Sequence, residues 1–166
     1  MRKLLLLSCC LLGACATTSD KIETPIYKTM GDKDQIGTIT FYDTAQGLKG
    51  VVNLSELPVG EHGFHLHAIP DCGSLDGEPA MKAGGHYDPE QTGKHLGPDG
   101  NGHKGDLHRL MTDDEGHVRT SFYAPHLTLQ EIRGRSVVIH EFGDNYADTP
   151  RPQGGGGKRI ACGVIK

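Results

Sequence analysis

Three histidines stand within six residues of one another in the stretch EHGFHLHAIPDC, residues 61–72. Two of them, His65 and His67, are separated by one residue, and on a β-strand this spacing points both rings to the same face. Two imidazoles side by side on a rigid strand form half of a transition-metal site. A pair of surface histidines on the wet face of a sheet has the same spacing, so the motif alone is weak evidence for a metal.

A second group of metal-ligating side chains lies in the glycine- and proline-rich segment 84–106. Its members are three histidines and one aspartate: His86, His95, His103 and Asp106. Together they supply the four nitrogen and oxygen ligands of a tetrahedral zinc site, and the neighbouring glycines let the backbone fold tightly around an ion. Any one of them could be an ordinary polar loop residue, but the four together favour a metal site.

The elements that must position these residues are predicted to be β-strands. Tryptophan is absent, aromatic residues are few and glycines number 24, which is typical of a β-rich, turn-rich fold. Alternating apolar residues predict strands in the segments 24–30, 37–44, 47–57, 60–68 and 134–141, and two strands around a turn at 113–116 in the segment 108–124. Strands at this spacing indicate an antiparallel sandwich or barrel.

Two long segments, 69–104 and 141–158, interrupt the strand pattern and are dense in Gly, Pro, Asp and His. Loops of this length in a compact domain are usually functional or disordered. The many histidines favour function. No internal repeat or second domain is evident.

The N-terminus indicates export. Arg2 and Lys3 precede a short apolar run over residues 4–12, which is typical of a signal peptide and too short for a membrane-spanning helix. Residues 12–15, LGAC, resemble the lipobox of bacterial lipoproteins, in which the cysteine is lipidated and becomes the new N-terminus. We therefore expect a signal peptide over 1–14, a lipid anchor at Cys15 and a linker over 15–23. The folded domain is expected over 24–166, in the periplasm or cell envelope.

The cysteines fit an oxidising compartment. Cys9 and Cys10 leave with the signal and Cys15 carries lipid, so Cys72 and Cys162 remain as thiols of the mature domain. Two cysteines in an exported protein are expected to form one disulfide. Because they are far apart in sequence, the chain-entropy model gives a stabilisation on the order of 4 to 5 kcal/mol.

Six motifs then match one known family in order and spacing: GFHLHA, GGHYDP, KHLGP, GHKGDL, VVIHEFGDN and KRIACGVI. They resemble the motifs of copper,zinc superoxide dismutase, particularly its bacterial periplasmic type, over about residues 23–166. The resemblance implies an all-β, antiparallel Greek-key sandwich or barrel of about eight strands with two long functional loops. It also implies one copper and one zinc ion per subunit, and dismutation of superoxide to dioxygen and hydrogen peroxide, which protects the cell envelope.

The resemblance assigns a role to each matching position. The copper ligands are His65, His67, His86 and His140. The zinc ligands are His86, His95, His103 and Asp106, so His86 is the bridging ligand and the catalytic proton carrier. Asp144 is the carboxylate that links ligands of the two metals, Arg159 is the guanidinium beside the copper channel that attracts and orients superoxide, and Cys72 pairs with Cys162.

Charge raises a difficulty for an anionic substrate. The mature chain has 15 basic and 21 acidic residues, a net charge of about −6, so no affinity for nucleic acid is expected. Attraction of superoxide must come from local positive potential around Arg159, the metals and one or more of Lys82, Lys94 and Lys158. The charged guiding residues of the eukaryotic loop are not found in the segment 141–157.

Several alternatives stay open. A non-catalytic copper- or zinc-binding protein with the same fold is the main competitor to an enzyme, and a copper-only dismutase is a third possibility. The resemblance suggests a homodimer. His62, His108, His117 and His126 match no ligand position; exposed polar residues are the expectation for His117 and His126, and His62 is left unassigned.

Overall fold

The structure, a computed structural model, describes residues 20–166. The predicted signal peptide over 1–14 and the predicted lipidation site Cys15 lie outside the described residues. Strand β1 (Lys21–Lys28) begins within the segment 15–23 that the sequence predicts as a linker. The reason is local, because buried Ile22 stands between exposed Lys21 and Glu23 and extends the alternation of the strand by one step towards the N-terminus.

Nine strands form within residues 20–166. After β1 they are β2 (Gln35–Thr44), β3 (Gly47–Leu54), β4 (Glu61–His62), β5 (Phe64–His67), β6 (Leu110–Met111), β7 (Val118–Ala124), β8 (Ser136–His140) and β9 (Arg159–Val164). One short helix, α1 (Leu129–Ile132), and two single 3₁₀ turns (Met81–Ala83 and Pro152–Gly155) complete the described elements. Across residues 20–166, no helix combines the length and apolar character needed to cross a membrane.

Seven strands form one antiparallel sheet in the order β5-β8-β9-β1-β2-β3-β7, and β4 pairs with β6 in a second, two-stranded sheet. The edge strands β5 and β7 lie at opposite ends of this order, yet Phe64 on β5 packs edge-to-face against Phe122 on β7 with ring centroids 5.4 Å apart. The large sheet is therefore strongly curled around a common apolar core, which also contains Phe41. The all-β antiparallel fold predicted from the sequence is confirmed.

The two strands predicted around the turn at 113–116 are present, but they do not form a hairpin with each other. Instead, β6 pairs with β4 and β7 pairs with β3. The Thr112 hydroxyl explains the difference, since it accepts a hydrogen bond from the Gly60 amide and lies within hydrogen-bond distance of the Pro58 and Gly60 carbonyls. These contacts hold the end of β6 against the 58–60 segment.

Both predicted long loops are present, and the first covers the free edge of β5. The Leu66 amide donates to the Gly105 carbonyl, and the Tyr87 amide donates to the Leu66 carbonyl. The predicted disulfide between Cys72 and Cys162 is also present, with Cα atoms 5.8 Å apart, and it ties this loop to β9. Protein contacts alone thus hold this loop against β5 and against β9.

Candidate metal centre

Two adjacent strands carry three of the histidines that the sequence singles out. His65 and His67 lie on β5, and His140 is the last residue of the neighbouring strand β8. The ring of His140 lies 4.8 Å from that of His65 and 5.7 Å from that of His67, measured between centroids. All three side chains are buried. The three imidazoles meet because His65 and His67 point to the same face of β5 and His140 ends the strand beside it.

The loop over residues 69–104 brings a fourth histidine to this point. His86 forms an isolated bridge with His67, and its ring stacks on that of His65 at a centroid distance of 4.0 Å. The approach depends on Gly105, where a Cβ atom would lie 2.4 Å from the Leu66 carbonyl oxygen. Only glycine permits this contact between backbones.

The four histidines form a first group of candidate ligands: His65, His67, His86 and His140, whose donor atoms lie within 4.8 Å of one another. Three of the donor atoms, His65 Nδ1, His67 Nε2 and His140 Nε2, are buried and make no hydrogen bond. Buried polar atoms without a partner are uncommon in folded proteins. Converging imidazole nitrogens without protein partners fit a transition-metal ion such as copper.

A second group lies on the other side of His86. The Nδ1 of His86 lies 2.9 Å from Asp106 Oδ1, and the Nδ1 of His95 lies 2.9 Å from Asp106 Oδ2. The Nδ1 of His103 lies 3.4 Å from Asp106 Oδ1. Three atoms, His95 Nδ1, His103 Nδ1 and Asp106 Oδ2, are buried without a hydrogen-bond partner. Three imidazoles and one carboxylate in this arrangement match the ligand set of a tetrahedral zinc site.

Proximity alone groups His65, rather than His103, with His86, His95 and Asp106. The hydrogen bonds favour His103. The Nε2 of His65 lies 2.7 Å from Asp144 Oδ2, which leaves only its Nδ1 for a metal, and that atom belongs to the first group. His103 Nδ1 has no such commitment, so His103 completes the second group.

Asp144 links the two groups. Its Oδ2 accepts from His65 Nε2 at 2.7 Å, and its Oδ1 accepts from His95 Nε2 at 2.8 Å and from the Tyr146 amide at 2.7 Å. These hydrogen bonds fix both rings in the tautomer that leaves Nδ1 free to bind a metal. Gly154 makes room for the carboxylate, since a Cβ there would lie 2.0 Å from Asp144 Oδ1.

Burial raises the pKa of Asp106 and of Asp144, but hydrogen bonds from histidines outweigh it. His86 and His95 act on Asp106, and His65 and His95 act on Asp144, so the pKa of each carboxyl falls well below its usual range. Burial alone would lower the pKa of His95, yet the two adjacent carboxylates, Asp106 and Asp144, raise that pKa to about 9. Both carboxylates are therefore anionic at neutral pH.

The remaining buried histidines favour the neutral form. Burial lowers the pKa of His65, His67 and His140, and burial together with the neighbouring His65 lowers the pKa of His86 to about 4. Neutral imidazole is the form that binds a metal ion. The copper side of the centre is thus in its metal-binding protonation state near neutral pH, whereas His95, with its pKa of about 9, must release a proton when a metal binds.

Arg159 opens β9 directly opposite His140 in the β8–β9 ladder. Its guanidinium donates to the Ala80 and Gly84 carbonyl oxygens, each at 2.8 Å. The same Gly84 oxygen lies 2.9 Å from His67 Nδ1, so one carbonyl fixes both the cation and a candidate copper ligand. Burial lowers the pKa of Arg159, although arginine keeps its charge in proteins.

One cavity of about 350 Å³ reaches the histidines and is lined by His86, His140 and Arg151. A second cavity of about 390 Å³ has no histidine in its wall and is lined by Lys158 and Arg159 together with Glu78 and Glu141. Of the three predicted guiding lysines, Lys158 lines the second of these two cavities and Lys82 and Lys94 line neither. Arg151 was not predicted. A larger cavity of about 540 Å³ lies beside the disulfide and contains none of the histidines.

His62, which the sequence left unassigned, is part of this centre. It is buried, its Nδ1 lies 2.7 Å from the His140 carbonyl oxygen, and its Nε2 lies 2.8 Å from that of Pro58. It therefore ties the backbone of a candidate copper ligand to the 58–60 segment. His126 is exposed as expected, whereas His117 is only partly exposed.

Comparisons with known proteins agree with this geometry. The family model described as copper/zinc superoxide dismutase matches residues 35–165. A superoxide dismutase [Cu-Zn] of Brucella abortus is 44% identical over the full length of both chains, and that of Escherichia coli K12 is 45% identical over 89% of this chain and 88% of the relative. The solved structure of the Cu/Zn superoxide dismutase from Brucella abortus superposes with a TM-score of 0.84 at 46% identity, covering 89% of this chain and all of that one.

Proposed function

The chain belongs to the copper/zinc superoxide dismutase family, and on this premise we propose which of its side chains hold each metal and move each proton. The proposed copper ligands are His65, His67, His86 and His140, and the proposed zinc ligands are His86, His95, His103 and Asp106. The observation that supports both sets is the two groups of buried, unpartnered donor atoms on either side of one ring, His86. The reaction is the dismutation of superoxide to dioxygen and hydrogen peroxide.

Bound copper supplies a one-electron couple that accepts an electron from one superoxide and returns it to a second, while redox-inert zinc holds the bridging ring. The protein must deliver protons, since peroxide leaves with two. The Nδ1 of His86 faces the proposed zinc ligands, 2.9 Å from Asp106 Oδ1, so with Nδ1 committed to zinc the proton that His86 carries during turnover would sit on Nε2. From there it passes to the reduced oxygen species.

Arg159 provides the positive charge for an anionic substrate. Its two hydrogen bonds to backbone carbonyls hold the guanidinium beside His67 and His140. Lys158 lies next to it on the same cavity wall, and Arg151 lines the cavity that contains His86 and His140. Glu78 and Glu141 line the cavity of Lys158 and Arg159, so the attraction depends on the cations nearest the histidines, Arg159 and Arg151, because field lines concentrate in clefts with low-dielectric walls.

The competing function, metal binding without catalysis, is tested by superoxide decay in stopped flow with copper- and zinc-loaded protein. We expect His140→Ala to abolish the acceleration, and His108→Ala, a change at an exposed histidine, to retain it. Metal-loaded protein that does not accelerate superoxide decay would refute the proposed dismutase function. Activity unchanged by His140→Ala would refute the proposed copper site.

We also propose that the protein acts in the periplasm, tethered through lipidated Cys15. The support is the LGAC sequence after a short apolar run and the disulfide in the folded domain, which fits an oxidising compartment. Cell fractionation of the full chain should find it in the membrane fraction and find Cys15→Ser in the soluble fraction. The homodimer stays a prediction that sedimentation measurements test.

A further inference from the structure

Arg109 contacts none of the proposed ligands, but it makes three contacts around Asp144. Its Nη1 donates to the Asp144 main-chain carbonyl at 3.1 Å. Its Nε lies 3.4 Å from Glu61 Oε1 on β4. Its guanidinium carbon stands over the ring of Tyr146, 5.4 Å from the centroid. One side chain thus joins β4, the start of β6 and the loop after β8.

Tyr146 is held at both ends. Its hydroxyl accepts a hydrogen bond from the Arg109 amide at 3.0 Å, and its own amide donates to Asp144 Oδ1 at 2.7 Å. Its backbone has a φ of +57°, in the left-handed region that non-glycine residues occupy only when surrounding contacts stabilise it. The Arg109 contacts supply that stabilisation.

The same tyrosine packs on the loop that carries His95. A Cβ atom at Gly97 would lie 2.6 Å from Tyr146 Cβ, so the tyrosine lies directly on the backbone two residues beyond His95. The loop of one proposed zinc ligand and the loop of Asp144 are therefore in contact through Tyr146.

We propose that Arg109 and Tyr146 form a latch that holds the Asp144 carboxylate in the one orientation in which its oxygens reach both His65 and His95. Arg109 acts through the backbone of Asp144 and through Tyr146, so it is a positioning residue for both metals. The inference rests on the ligand sets proposed above. Loss of the latch lets the carboxylate rotate, and the two rings then lose the hydrogen bonds that fix their tautomers.

The test compares Arg109→Met, which keeps side-chain length and removes all guanidinium contacts, with Tyr146→Phe, which removes only the hydroxyl. Arg119→Met is the matched control, because Arg119 is an exposed residue of β7 that lines a shallow surface cavity with none of the histidines. Zn²⁺ is titrated into copper-loaded protein against a chromophoric chelator. The Cu(II) paramagnetic resonance spectrum is recorded for each variant.

We expect Arg109→Met to weaken Zn²⁺ binding by about 10-fold, the lower end of the range for residues that orient metal ligands. Tyr146→Phe should weaken it in the same direction by a smaller factor, and Arg119→Met should leave it unchanged. The copper spectrum should shift in the first two variants, because His65 loses its fixed orientation. Arg109→Lys keeps the charge without the planar fork, so it should restore the affinity only in part.

Unchanged Zn²⁺ affinity and an unchanged copper spectrum in Arg109→Met would overturn the latch. If that variant does not fold, Tyr146→Phe decides, since it deletes a single oxygen atom. His103→Ala distinguishes a failure of the proposed zinc ligand set from a failure of the latch. If His103→Ala also retains Zn²⁺, the proposed ligand set is wrong, and if it loses Zn²⁺ while the latch variants retain it, only the latch is wrong.

Discussion

Replacing Asp144 with asparagine changes one atom and tests the link between the two metal sites. An amide has one acceptor oxygen, so it cannot accept from both His65 and His95 as the carboxylate does. If the amide oxygen takes the Oδ1 position, the amide nitrogen faces the N–H of His65. If it takes the Oδ2 position, both His95 and the Tyr146 amide lose their acceptor. Either orientation also removes the negative charge.

The magnitude follows from the hydrogen bonds that are lost. A hydrogen bond to a charged group contributes about 1.5 to 3 kcal/mol when it is buried, and Asp144 is almost fully buried. One such bond corresponds to about 10- to 100-fold in an equilibrium constant, the range typical for partners of metal ligands. We therefore expect Asp144→Asn to weaken Zn²⁺ binding by about 10- to 100-fold and to alter the Cu(II) spectrum.

Competition titration of Zn²⁺ into the copper-loaded variant measures this change. Asp113→Asn is the matched control, because Asp113 accepts hydrogen bonds from backbone amides in the turn before β7 and lies outside the metal centre. A zinc dissociation constant for Asp144→Asn within twofold of the unmodified protein would refute the role given to the carboxylate.

Three further predictions concern stability and rate. Replacing Cys72 and Cys162 together with alanine should lower the free energy of unfolding in urea by on the order of 4 to 5 kcal/mol, the chain-entropy value for a separation of 90 residues; a loss below about 1 kcal/mol would contradict it. In metal-free protein, stability should fall as the pH drops from about 6.5 to 4, because the unfolded state binds a proton that folded His86, with its pKa of about 4, does not. His86→Gln should make that part of the urea-midpoint profile less steep, and the lowered pKa values of His65, His67 and His140 account for the slope that remains. His95, with its pKa raised to about 9, contributes stability that is lost as the pH rises from about 6.5 through 9. Arg151→Glu should slow superoxide consumption at low ionic strength by up to about 10-fold, and an equal deficit in about 1 M salt, where the Debye length is about 3 Å, would exclude an electrostatic cause.

Local periodicity was sufficient to predict that His65 and His67 lie side by side, whereas His140 was assigned only through the resemblance to the family. His65 and His67 share a face because side chains alternate on a strand, and the structure places both rings beside His140. The positions of His86, His95, His103 and Asp106 in a loop could be predicted only as a set of ligand types, since their order in space depends on contacts such as the one between Gly105 and Leu66.

What the sequence could not predict arises where distant segments meet. His62 precedes His65 by three residues, yet β4 and β5 belong to different sheets, so neither helical nor strand periodicity describes its direction. Its partner is the carbonyl oxygen of His140, which no local pattern specifies. The pairing of β6 with β4 could not be predicted for the same reason, because these two strands lie far apart along the chain.

The division of the ligands between strands and loop has a consequence for how the site is assembled. Three proposed copper ligands belong to β5 and β8, whose backbones are fixed by the barrel itself. Three proposed zinc ligands, His95, His103 and Asp106, lie outside the named strands. Three of the four proposed copper ligands are therefore positioned by strand pairing, whereas His86 and the other zinc ligands depend on how the loop is held against β5 and β9. Zinc affinity is then a measure of loop order, and a distant change that loosens the loop appears as metal loss before it appears as unfolding.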